Sequence, residues 1–154
     1  MANFKNSFDL GLKAAADTAE KISEINSVFE EMNAQIMEAS GGKIAISRET
    51  RFDTTMETLL GLGMFSQKKL IEKSTTTTYI VAANPLSTKT KKADIGQIEI
   101  NKNGYPCEIK FGNDRFVCDD KQALERILSV MLADADVGKE FTRLINQPTE
   151  DVPE

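Results

Sequence analysis

Apolar residues recur at helical spacing from Phe4 to Ala39, a run with no proline and with Gly11 as its only glycine. Phe8, Ala15, Ile22, Phe29 and Ile36 follow one another at heptad intervals, and Phe4, Ile25, Met32 and Ala39 fill intervening positions of the same stripe, as the a and d sites of a heptad repeat do. Gly11 and Thr18 are the weak d positions, so the seam is strongest from Ile22 to Ala39, while Leu12, Ala19 and Val28 widen the apolar face. Asp17, Glu20, Lys21, Glu24, Glu30, Glu31 and Glu38 occupy the opposite, solvated side.

A helix over this span would be about 54 Å long at 1.5 Å per residue, longer than a compact domain of this size is wide. Two arrangements meet that constraint: a helix that breaks near Gly11 and lies across a sheet in a monomer, or self-association through helix pairing. The second is the leading expectation, with Ile22, Ile25, Phe29, Met32 and Ile36 as the assembly residues. Asn26 and Asn33 flank the stripe one heptad apart, either as polar register-setting contacts or simply as solvated positions. Ser40-Gly41-Gly42 supplies the left-handed C-terminal cap that ends the helix and offers a hinge. The predicted organisation is therefore a helix over 1–40, one α+β globular domain over 43–147, and a disordered acidic tail over 148–154.

Past the glycines the period shortens to two. Ile44 and Ile46 alternate with polar or small neighbours from Lys43 to Phe52, as in a half-buried strand. From Asp53 to Phe65 a short helix carrying Met56, Leu59 and Leu60 is predicted, loosened by Gly61 and Gly63. The β-branched run Thr75 to Thr78, leading into Tyr79-Ile80-Val81, predicts a second strand that Asn84-Pro85 stops, and 86–92 reads as an exposed loop. Ile95 to Asn101, Tyr105 to Phe111 and Arg115 to Cys118 then form a meander through turns at Asn103-Gly104 and Gly112-Asn113. Asn103 and Gly104 both tolerate the positive φ that such a turn uses. Leu124, Ile127, Leu128, Met131 and Leu132 make one helical stripe, begun by Asp119 with Gln122 as capping-box partner. A last helix, capped by Asp134 or Asp136, turns Val137, Phe141, Leu144 and Ile145 inward and ends at Pro148. The fold class is α+β: a long N-terminal amphipathic helix, an antiparallel meander of about four to five strands, and two C-terminal helices.

Composition changes this picture chiefly by exclusion. The chain has no histidine, which removes the commonest general base and transition-metal ligand. Cys107 and Cys118 are expected opposite each other across the Gly112 turn as free, buried core residues, because two thiols alone do not complete a zinc site. Asp119-Asp120 and the pair Asp134 and Asp136 sit at predicted helix starts, where capping accounts for them. Gly61-Leu62-Gly63 lacks the further residues of a nucleotide-binding loop. These readings predict no catalytic residue, no cofactor and no metal, and a protein that is not an enzyme.

No apolar run reaches the ~18–20 residues of a membrane span, and the first residues lack the basic and apolar regions of a secretory signal, so a cytoplasmic protein without membrane contact is expected. Charge is unevenly spread: net −4 over Met1–Gly42, +5 over Lys43–Lys92 and −6 over Ala93–Glu154. The basic middle places Lys68, Lys69, Lys73, Lys89, Lys91 and Lys92, with Arg48 and Arg51, around the threonine strand, a candidate phosphate-contacting surface. The same segment is equally able to dock on the chain's own acidic parts. The leading functional expectation is a non-enzymatic macromolecule-binding or regulatory protein, a homo-oligomer or the partner of another protein through its N-terminal helix. The alternatives are a nucleic-acid-associated protein using the lysines, and an acidic inhibitor of a DNA-handling machine of the kind found in mobile genetic elements.

Overall fold

In the computed structural model, which describes residues 2–53 and 75–149, the opening run is one unbroken helix, α1 (Phe4–Ala39). Asn3 caps its start by accepting a hydrogen bond from the Asn6 N–H at 3.1 Å. Gly11 does not break it, since the cost of one interior glycine, about 1 kcal/mol, is small beside the cooperative turns on either side. At the other end Gly41 and Gly42 both have positive φ, and their N–H groups return to the carbonyls of Glu38 and Met37, the Schellman arrangement. The Ser40 hydroxyl then accepts from the Ile44 N–H at 2.9 Å, so the turn into the sheet is tied down.

Five strands follow in chain order, β1 (Ala45–Asp53), β2 (Thr75–Ala83), β3 (Ala93–Asn101), β4 (Gly104–Phe111) and β5 (Asp114–Cys118). They form one antiparallel sheet in the order β1-β2-β3-β4-β5. Two helices close the chain, α2 (Lys121–Leu132) and α3 (Ala135–Ile145), which makes the fold α+β. The short helix expected over 53–65 lies outside the described residues.

The three helices among the described residues pack on one face of the sheet: α1 against β1 and β4, α2 against β4 and β5, and α3 against β3. The core between the layers joins Ile25, Val28, Phe29 and Met32 of α1 to Ile46, Ile80, Ile98, Ile109, Cys107 and Cys118 of the sheet. Leu124, Leu128 and Met131 of α2 and Val137 and Leu144 of α3 complete it. Asn84 is buried at the end of β2, where its amide donates to the Leu144 carbonyl at 2.8 Å and accepts from the Leu86 N–H at 3.0 Å, fastening α3 to the sheet.

Several local expectations shift. The hairpin between β3 and β4 puts only Gly104 at positive φ, because Gly104 is the bulged first residue of β4 rather than the second residue of a tight turn. Gly104 also lies directly beneath α1, where an added Cβ would stand 2.7 Å from the Lys21 Cβ. The cap of α2 is Asp120, which accepts from the Ala123 N–H at 2.8 Å, so Gln122 is not its partner. Asp134, not Asp136, caps α3, and Ile145 turns out to solvent instead of inward. The loop after β2 is not a free excursion: Thr88 N–H donates to the Pro148 carbonyl at 2.9 Å, and Ser87 bridges to Thr149.

Gly104 and Gly112 make a matched pair for measurement, since both have positive φ but only Gly104 is crossed by α1. Gly112→Ala should cost about 1 kcal/mol, the backbone penalty alone. Gly104→Ala should cost more, of order 1–3 kcal/mol. Urea unfolding midpoints of the two variants check the ordering, and equal midpoints would mean that α1 does not seat on the hairpin.

Candidate interaction surface

The helix α1 divides into two parts that differ in what covers them. From Ala2 to Asp17 every residue is exposed, including Phe4 at 80%, Phe8 at 65%, Leu10 at 61% and Leu12 at 58%. This arm projects about 25 Å from the body at 1.5 Å per residue. Its apolar row Phe4, Phe8, Leu12 repeats every fourth residue, and Lys5, Asp9, Lys13 and Asp17 alternate in sign at the same spacing.

The second half is held down. Ile25, Phe29 and Met32 are buried in the chain's own core, with Ile22 and Ile36 partly buried at its margin. The burial of three of the five residues expected to form an assembly seam is thus accounted for within one chain, and the large apolar side chains of α1 left in water precede that seam. Polar side chains finish the docking. Asn33 accepts from the Ile46 N–H of the edge strand β1 at 2.7 Å, and Asn26 accepts from the Arg48 guanidinium at 2.8 Å. Arg48 also stacks over Phe29 at 4.4 Å. Burial lowers the Arg48 pKa, and the nearby Glu30 charge opposes that shift.

Between α1 and α2 runs a groove of about 280 Å³. Val28, Met32, Ile36, Leu128 and Leu132 supply its apolar floor, and Glu31, Gln35, Glu125 and Ser129 its rim. A more acidic cleft lies where α1 leaves the body, lined by Asp17, Glu20, Glu24, Asp119 and Asp120. There the Tyr105 hydroxyl donates to Glu24 at 2.9 Å, and its pKa is raised by burial and then by that carboxylate.

The sheet face away from the helices carries a charge network. Arg51 forms a bidentate pair with Asp94 at 2.8 and 2.9 Å, reaches Glu49 at 3.0 Å, and stacks over Tyr79 at 4.4 Å. Lys92 donates to Glu49 at 2.8 Å. Hydrogen bonds from Lys92 and then Arg51 lower the Glu49 pKa, and those with Asp94 and then Glu49 raise that of Arg51. Of the candidate phosphate-contacting lysines, Lys92 is therefore engaged with an acid of its own sheet, and Lys89 and Lys91 lie exposed in the loop after β2. Lys68, Lys69 and Lys73 lie outside the described residues. Thr78 of the threonine strand bonds across to Thr50 at 3.0 Å.

Cys107 and Cys118 stand opposite one another on β4 and β5, free and fully buried. Burial, with the neighbouring Cys118, pushes the Cys107 thiol up to about 12, and burial also raises Cys118. Asp120 and Asp134 spend their carboxylates on helix N–H groups.

Sequence reasoning did not find the groove, the split of α1, or the roles of Asn26 and Asn33. The only forward signal was the position of both asparagines beside the stripe, where polar side chains meet a neighbour's backbone. No family model matches this chain, and comparison with curated proteins and with solved structures finds no match either.

The thiols make a direct check. At pH 8 a thiol-reactive dye should leave both cysteines unmodified in the folded chain and label both after unfolding. The unfolded chain releases thiol protons from about pH 8.5, while the folded chain keeps them. The unfolded state then binds fewer protons, so stability should fall as pH rises above that value. Cys107→Ala/Cys118→Ala should remove this part of the pH slope in urea titrations.

Proposed function

We propose that this chain is a non-enzymatic, macromolecule-binding regulatory protein of the cytoplasm that acts as a homodimer assembled through the first half of α1. The observation that carries the reading is the arm itself, with two phenylalanines and two leucines in water on a helix whose other half is clamped to a sheet. Burying each such side chain is worth about 1.5–3 kcal/mol. An isolated segment of this length would be marginally helical, but continuity with the anchored half supplies its nucleus. The arm is thus presented already ordered, which removes most of the entropic cost that a flexible tail would bear on pairing. Among the described residues no helix is long and apolar enough to cross a membrane. The nucleic-acid reading draws less support, because Arg51 and Lys92 are paired with Glu49 and Asp94 rather than gathered toward a phosphate.

Light scattering coupled to gel filtration tests the proposal. The chain should run at twice its mass, and Phe4→Glu/Phe8→Glu should run as a monomer with unchanged circular dichroism. The unfolding midpoint of that variant, extrapolated to low protein concentration, should stay within about 0.5 kcal/mol of the parent, because neither residue touches the core. A parent chain that is monomeric throughout the micromolar range would reject the proposal.

A further inference from the structure

The exposed first half of α1 complements a reversed copy of itself. We infer that the arms of two chains pair antiparallel about a two-fold axis between Asp9 and Leu10, each phenylalanine of one arm seating on a small residue of the other. This rests on the self-association proposed above and adds the direction and register of the pairing.

Position is the first argument. The exposed stretch runs from Ala2 to Asp17, so its midpoint falls between Asp9 and Leu10. Phe4, Phe8, Gly11 and Ala15 follow one another at steps of four, three and four, a row symmetric about that same point. At about 100° per residue the four positions share about 60° of the helix circumference, with Leu12 at their flank. A reversed partner in this register covers the whole arm and stops at Thr18, where the chain's own packing begins. The rest of each copy then stands beyond the other's tip, and the two-fold axis closes the assembly as a dimer.

Size is the second. Across that axis Phe4 meets Ala15 and Phe8 meets Gly11, so every layer joins one ring to one small residue. Parallel pairing would instead set ring on ring at Phe4 and Phe8 and leave glycine facing glycine across an unfilled layer. Gly11 itself speaks for a neighbour. It lies inside the helix, and an added Cβ would meet nothing within 4 Å, so nothing within one copy calls for glycine where alanine favours a helix by about 1 kcal/mol. The missing Cβ leaves room for the Phe8 ring of a second copy. Phe4 and Phe8 are 80% and 65% exposed, and at ~150–250 Å² per buried ring the two pairs of rings supply roughly half of the ~1,200 Å² at which specific interfaces begin.

The test uses engineered cysteines in the full chain, whose native thiols are buried. Positions 4 and 15 are about 16 Å apart on one helix at 1.5 Å per residue, so a disulfide between them joins two chains. At a concentration where light scattering shows dimers, Phe4→Cys/Ala15→Cys should become predominantly covalent dimer under mild oxidation, and Ala15→Cys alone should not. Gly11→Ala favours the helix within each chain, yet it should weaken the dimer about tenfold on dilution, because the added methyl meets the Phe8 ring in two layers. A parent dimer that links through Ala15→Cys alone, that fails to link through the 4/15 pair, or that tolerates Gly11→Ala unchanged overturns the antiparallel register while leaving self-association standing. A parent chain that is monomeric by light scattering removes both.

Discussion

The seat of α1 on the sheet is the contact on which the rest of the molecule depends. Ile25, Phe29 and Met32 close the core against β1 and β4, beside the ground that α2 holds on β4 and β5 and α3 on β3. Because that seat takes up only the second half of the helix, the direction and rigidity of the first half follow from it. The hydrogen bond from the Ile46 N–H to Asn33 and the Arg48 contacts to Asn26 and Phe29 fix the helix against rolling, which apolar packing alone resists weakly. A buried backbone N–H left without Asn33 would carry a desolvation cost of about 1–3 kcal/mol, so the amide is part of the core's integrity as well as its orientation.

The two faces of the sheet divide the chemistry. The covered face is apolar and includes both thiols, whose raised pKa values follow from the same burial that stabilises the core. On the open face Arg51 is held between Asp94, Glu49 and the Tyr79 ring. Exposed ion pairs of this kind add little stability, but they take up the guanidinium that would otherwise be available to a polyanion. The most exposed large apolar side chains on the described surface are Phe4 and Phe8 of α1 and Phe52 of β1.

Much of the architecture was legible because its signals are local. Gly41-Gly42, the Gly112 turn and the acids before α2 and α3 each act within a few residues, and strand alternation needs only neighbouring positions. The division of α1 was hidden for a physical reason: a heptad stripe looks the same whether a sheet of the same chain or another helix covers it. The seam that reads strongest, from Ile22 onward, reads so because it belongs to the core, while the weaker first turns are the ones in water. Arg51 and Asp94 lie 43 positions apart, and their pairing emerges only from the register across β1, β2 and β3. Even the misplacement of the β3–β4 turn by one residue has this character, since a bulge that lets α1 pass over Gly104 is a tertiary demand.

The Asn33 contact has a further consequence for how copies of this chain can meet. Among the described residues β1 is an outer strand, and outer strands invite further strands to add, which leads toward open-ended polymers. By occupying the Ile46 N–H, the side chain of a helix takes one rung of that ladder out of play and sets the bulk of α1 beside it. Growth by strand addition is hindered along this border.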